Sequence, residues 1–200
     1  MKNKIAELLK LTDDGQIVAK LQEINELFLR QYLLNVDGII AQPLQVEAYY
    51  NNPGVFEDMN SHCNFNQKNR FGRLYFHGYP ARPVRVGDKT CYGVDIVLSD
   101  SDDYYLSLLL KRSCIGNDVL TQTKVDAALR GHGDLNAVVL TPRQDKKSGP
   151  VFHIKRIGLN NPNKQYRDAA LGAIIDLDKY PTNAFAYPRG GRHQLINNKE

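Results

Sequence analysis

Apolar residues recur at helical spacings through the first part of the chain. Ile5, Leu8 and Leu9, then Ile17, Leu21, Ile24, Leu27, Phe28 and Leu33, follow the three- and four-residue steps that line up one side of a helix. Thr12-Asp13-Asp14-Gly15 interrupts this run with residue types that cap helix N-termini, so the pattern predicts helices over 2–11 and 14–31. Their apolar stripe reads as a packing face against the rest of the domain. After Asn35-Val36-Asp37-Gly38 the pattern becomes β-branched and alternating, which predicts strands over 39–49, 73–77, 92–98 and 137–140. Ser99-Asp100-Ser101-Asp102 reads as a turn or helix cap leading into residues 104–112, an apolar stretch compatible with a strand or a short helix. Residues 125–130 read as a helix ending at Gly131. Residues 151–159 and 182–187 read as strands, with a turn at Asn160-Asn161-Pro162-Asn163. No repeat, low-complexity tract or linker divides the 200 residues.

A hydrophobic content of 42% is enough to bury a sizeable core, and no run of about 18 apolar residues suggests a membrane span. The N-terminus contains acidic residues and lacks a continuous apolar stretch, unlike a secretory signal, so a cytoplasmic protein is expected. Cys63, Cys91 and Cys114 are odd in number and widely spaced, without a CxxC pair. This fits reduced thiols better than a disulfide framework or a zinc knot, and no structural metal is expected. The net charge of +4 hides an asymmetry: residues 1–60 carry 5 Lys+Arg against 9 Asp+Glu, and residues 61–200 carry 21 against 13. A basic face on the later segment attracts phosphate-bearing partners through counterion release; a net charge this small also serves solubility alone.

Candidate chemistry is densest over residues 44–77, LQVEAYYNNPGVFEDMNSHCNFNQKNRFGRLYFH. Val46 to Tyr50 reads as the end of a strand, with Gln45, Glu47 and Tyr49 on one face and Val46, Ala48 and Tyr50 on the other. A carboxylate held there beside an aromatic can act as a general base on water; the plainer reading is an exposed strand glutamate. Dinucleotide, Walker, HExxH and GxSxG motifs are missing from the sequence. His62, His77, His132, His153 and His193 are scattered, and isolated histidines more often make structural hydrogen bonds than bind metal. Gly190-Gly191-Arg192 reads as a C-terminal loop or, alternatively, a backbone cradle for phosphate.

The ordered series QVEAYY, SHCNFNQKNRFGRLYFH, YGVDIVLS, LSLLLKRSCI, HIKRIGL and NAFAYPRG resembles the methylpurine (alkyladenine, 3-methyladenine) DNA glycosylase family over residues 36–192. Each motif is short, and their common order carries the resemblance. Residues 1–33 lie outside it. The resemblance implies that Glu47 is a general base for water, with Arg112 close to that water. It also implies that Tyr49 stacks on a flipped base, that His62 contacts the base and its backbone, and that Tyr75 lies on a strand supplying aromatics to the pocket. Asp95 falls where the family usually has an asparagine that discriminates among purines, and Lys68, Arg70 and Arg73 are implied phosphate contacts. The separation of Glu47 from His62 is longer than usual for the family. The unstacking that precedes glycosidic cleavage is offset by aromatic stacking worth about 1–3 kcal/mol per base.

Together these readings predict a single-domain α/β (α+β) protein: a curved, mostly antiparallel sheet with peripheral helices and an N-terminal helical pair packed on it. The implied activity is that of a monofunctional DNA glycosylase, hydrolysing the glycosidic bond of an alkylated or deaminated purine in double-stranded DNA. A monomer without cofactor, metal or membrane is expected. Two other classes fit the sequence: a nucleic-acid-binding module of the same fold without excision (or a hydrolase of another nucleoside), and an unrelated structural protein whose Glu47 and Tyr49 line a solvated sheet.

Overall fold

A computed structural model of the chain describes residues 1–77, 85–86, 89–90, 93–130, 132, 134, 136–156, 159, 166 and 168–180. The expected strand over 182–187, the turn at 160–163 and the Gly190-Gly191-Arg192 loop lie outside the described residues.

Two helices open the chain, α1 (Lys2–Leu8) and α2 (Asp14–Gln31). Asp13 begins α2 by accepting a 2.9 Å hydrogen bond from the Gln16 amide, which satisfies one of the free donors at the helix start. The strands follow as β1 (Tyr32–Val36), β2 (Ile39–Asn52), β3 (Phe56–Glu57), β4 (Leu74–Phe76), β5 (Arg85–Val86), β6 (Lys89–Thr90), β7 (Val94–Val97), β8 (Tyr105–Ile115) and β9 (Asp118–Thr121). Helix α3 (Gln122–Leu129) then precedes β10 (Leu140–Pro142), β11 (Val151–Ile154) and β12 (Gly172–Ile175). The expected elements recur with shifted ends: α1 stops at Leu8, β2 runs on to Asn52, β7 spans Val94–Val97, α3 begins at Gln122 and β11 stops at Ile154, while β3, β5, β6 and β9 are short strands that the pattern does not mark. β1 continues α2 directly, where helical periodicity hides a five-residue strand. The strand expected at 137–140 forms at Leu140–Pro142. Residues 104–112 are resolved in favour of a strand.

The result is a curved antiparallel sheet, a half-barrel, in the order β10-β1-β2-β8-β7-β4, with β12 also paired to β2, β11 to β12, β3 to β2 and β9 to β8. β5 and β6 form a separate pair. Asp37 (φ 51°) and Gly38 (φ 85°) join β1 to β2 as a two-residue hairpin, for which Asp-Gly is the favoured sequence because both positions need positive φ. Strand alternation then sorts the side chains. Val46, Ala48 and Tyr50 of β2, Leu106, Leu108 and Leu110 of β8, Val94 and Ile96 of β7 and Leu74 and Phe76 of β4 join one hydrophobic core with Ile17, Leu21, Ile24 and Phe28 of α2 and Val125 and Leu129 of α3. The helices therefore cover one face of the sheet. The alternate residues, including Glu47, Tyr49, Tyr75, Asp95 and Ser107, belong to the opposite face.

Leu21 is fully buried between α2 and the sheet. Leu21→Ala is expected to lower stability by about 2–5 kcal/mol; a urea denaturation midpoint equal to wild type contradicts this packing.

Candidate active site

Antiparallel register lays a row of residues across four strands: Tyr75 opposite Asp95, Asp95 opposite Leu109, Leu109 opposite Glu47. Glu47 and Asp95 are thus two strand spacings apart, about 10 Å between their Cα atoms, with Leu109 between them. Both carboxylates are buried, and each is held by its own set of donors.

Glu47 has no exposed surface. Tyr49 donates its hydroxyl to Glu47 Oε2 at 2.9 Å, and Lys111 Nζ stands 3.6 Å from Oε1. Burial, and next the Glu47 charge, push the Tyr49 hydroxyl well above the ordinary tyrosine value, so it serves as a proton donor to the carboxylate and keeps its proton. One face of the Tyr49 ring carries the Arg156 guanidinium, 4.8 Å from the ring centroid. Arg156 is fixed in turn by an ion pair to the buried Asp58 and by hydrogen bonds to the carbonyls of Ala48 (3.2 Å) and Tyr166 (2.6 Å).

Asp95 has both oxygens engaged. Oδ1 lies 2.9 Å from His77 Nε2, while Oδ2 accepts from the Ser107 hydroxyl at 2.8 Å and from the Gln67 amide at 3.1 Å. Burial alone would raise its pKa, but the His77 charge and the hydrogen bonds from His77 and Ser107 outweigh it, holding the carboxyl below its ordinary value. Asp95 therefore orients other side chains, and the His77 imidazole rests against the His62 ring at 4.2 Å between centroids. His62 Nδ1 lies 3.4 Å from the Tyr75 hydroxyl. Burial, reinforced by neighbouring His77, lowers the His62 pKa, and burial raises that of Tyr75 to about 12, so this pair is neutral near pH 7.

Glycine at position 93 is required by this packing. A Cβ there would come within 2.6 Å of His77 Nδ1 and 2.8 Å of Cε1.

Of the residues singled out in the sequence, Glu47, Tyr49, Tyr75 and Asp95 share one sheet face, and the loop before β4 brings His62 onto it. Lys68 Nζ sits 4.9 Å from the centroid of the Tyr105 ring, one alternation beyond Ser107 on β8, which places this cation toward one end of the same face. Arg70 donates to the side chains of Asn66 (3.3 Å) and Asn136 (3.2 Å). Partial burial, and then the nearby Arg73 charge, lower the Arg70 pKa, as expected for two guanidinium groups close together. Arg112 pairs with Gln45 and lays its guanidinium 5.3 Å over the Tyr180 ring; the ammonium beside Glu47 is that of Lys111.

Lys111, Ser107, Gln67 and Arg156 escaped the sequence reading, and His77, read there only as one of several scattered histidines, makes a structural hydrogen bond to Asp95. Alternation from Glu47 through its partner Leu109 points to Lys111, and alternation from Tyr75 points to His77. Gln67 and Arg156 arrive from a 3-10 turn and a distant segment, for which no local signal exists. Among the described residues, no group of three or more His, Cys, Asp or Glu is arranged to hold a metal, and no helix is long and apolar enough to cross a membrane. No protein-family model matches the chain, and comparison with curated proteins finds no match. The fold and site define an α+β half-barrel with a buried, donor-rich acidic face.

Acidification is expected to destabilise the protein in two stages. The His62 pKa is depressed by folding, so the unfolded chain takes up that proton first and stability falls as pH drops below the ordinary value of 6.5. Asp95 is depressed below 3.8, so its contribution is complete above that pH and is lost as pH falls through its lower folded value. Urea midpoints measured from about pH 8 to 3 check the profile, and a flat line through the first stage contradicts a neutral, buried His62. Independently, Gly93→Ala is expected to push His77 off Asp95 and cost about 1–3 kcal/mol, with loss of the His77 Nε2–H signal by NMR; retention of that signal contradicts the assigned packing.

Proposed function

We propose that the protein is an N-glycosyl hydrolase that removes a modified purine from double-stranded DNA. The observation that carries this reading is the Glu47 carboxylate, held by a tyrosine hydroxyl and an ammonium on the same sheet face as an imidazole and tyrosine cluster. A base extruded from the duplex needs aromatic and imidazole surfaces to replace lost stacking, which Tyr49, His62, Tyr75 and His77 supply. Lys68, Arg70 and Arg73 supply positive charge for the backbone phosphates.

In this reading Glu47 accepts a proton from water as the water oxygen bonds to the anomeric carbon. The glycosidic C–N bond breaks, its electron pair leaving with the base. Tyr49 and Lys111 keep the carboxylate oriented, and the ammonium offsets the charge concentrated around it. Asp95 supports the reading as an anchor for His77. Its two oxygens are occupied by protein donors, so discrimination among bases falls to the imidazole and tyrosine groups that it positions.

The complete burial of Glu47 favours a second reading, a DNA-binding module of this fold in which the carboxylate is structural. Single-turnover release of base from duplex DNA carrying hypoxanthine, ethenoadenine or 3-methyladenine separates the two. For the hydrolase, Glu47→Gln is expected to slow release by about 10²-fold or more while salt-sensitive duplex binding is kept. Binding without release by wild type, unaffected by Glu47→Gln, supports the module and overturns the hydrolase.

A further inference from the structure

The β2–β8 ladder changes register between Gln45 and Val46. Gln45 faces Arg112 and Val46 faces Leu110, so Lys111 has no Cα partner on β2. Irregularities of this kind re-aim side chains beside functional sites. Here the released residue sends its amine to Glu47, with Nζ 3.6 Å from Oε1 and 18% of its side chain exposed. A guanidinium in this place would stay protonated, whereas an amine that yields a proton becomes a nucleophile toward a carbonyl carbon. Glu47 is the acceptor within reach of that proton.

We propose that Lys111 is a Schiff-base nucleophile and that the protein cleaves the DNA strand at abasic sites. The proposal rests on reading the Glu47 face as a DNA site, and it departs from the hydrolysis-only activity that the sequence resemblance implies. The open-chain sugar of an abasic site presents an aldehyde at C1′. Lys111 passes one proton to Glu47, and the amine lone pair forms an N–C1′ bond as the carbonyl π pair moves to oxygen; the new ammonium nitrogen then gives up its second proton, relayed by water, to that oxygen, leaving a neutral carbinolamine. The carbinolamine hydroxyl then departs as water with the proton held by Glu47, leaving an iminium. Glu47, again a carboxylate, removes a proton from C2′. The C3′–O bond breaks, its electron pair leaving with the phosphate of the 3′ fragment. Water hydrolyses the imine and returns the lysine, with an unsaturated aldehyde left on the 5′ fragment.

The test uses duplex DNA with one abasic site, incubated with the full chain with and without borohydride, which reduces an iminium to a stable secondary amine. Wild type is expected to nick the strand and, with borohydride, to form a covalent protein–DNA adduct that peptide mapping places on Lys111. Lys111→Arg keeps the cation beside Glu47 and is expected to reduce the adduct at least about tenfold, since a guanidinium forms no Schiff base. Glu47→Gln keeps the amine and is expected to slow nicking. A wild-type protein that forms no adduct overturns the proposal. So does an adduct of equal yield in Lys111→Arg, which would place the linkage on another amine such as Lys68 or the N-terminus. The abasic duplex requires no base release. Nicking and adduct without release from modified duplexes therefore count against the glycosylase reading alone, and release without adduct counts against the Lys111 assignment alone.

Discussion

A one-residue slip in the pairing of β2 with β8 would turn Glu47 and Tyr49 toward the helices and drive Val46, Ala48 and Tyr50 to the opposite face, because side chains alternate with a period of two. The register is set by matching apolar positions on the two strands: Val46 opposite Leu110, Ala48 opposite Leu108, Tyr50 opposite Leu106. These six residues are buried in one core with α2 and α3. The helices thereby decide on which face the acidic residues lie. Two consequences follow from the same ladder. Glu47 and Asp95 fall in one row, separated by Leu109, and Lys111 lies where its amine can reach Glu47.

Burying several charges on one sheet face is costly unless each is paired and hydrogen-bonded. The protein meets this cost locally. Glu47 has Tyr49 and Lys111, Asp95 has His77, Ser107 and Gln67, and Asp58 has Arg156. Two of the sets meet where Arg156, the partner of Asp58, covers Tyr49, the donor to Glu47, and within the Asp95 set Gln67 donates to both Asp95 and Ser107. Such a face holds its groups in fixed orientations, and it places most of its polar atoms out of competition with water.

Much of the architecture was legible in the sequence, for identifiable reasons. Helix α2 has long, regular periodicity and an aspartate cap, so both its existence and its starting point could be read. β2 alternates strongly enough for its two faces to follow from the pattern of its residues alone. β1 was hidden because Tyr32, Leu33 and Leu34 continue the apolar spacing of the preceding helix; only pairing with β2 and β10 makes them a strand. Residues 104–112 fit either state by pattern, and pairing to β2 and β7 selected the strand.

The site divides along the same line. Local alternation determined that Glu47 and Tyr49 share a face, since that follows from covalent geometry once the strand exists. The same alternation sets His77 beside Tyr75 in the pattern of β4 and Lys111 beside Leu109 in that of β8. The order of strands around the half-barrel was a tertiary outcome, and it brought β4 and β7 beside β8, joining His62, Tyr75, His77 and Asp95 to the face that carries Glu47. Tertiary packing likewise committed both oxygens of Asp95 to protein donors, His77 on one and Ser107 and Gln67 on the other. The sequence by itself determined which residues could be buried and which way successive side chains point. Only the folded sheet decided which charges meet, because hydrogen-bond partners such as Gln67 and Arg156 come from segments whose separation along the chain carries no information about their distance in space.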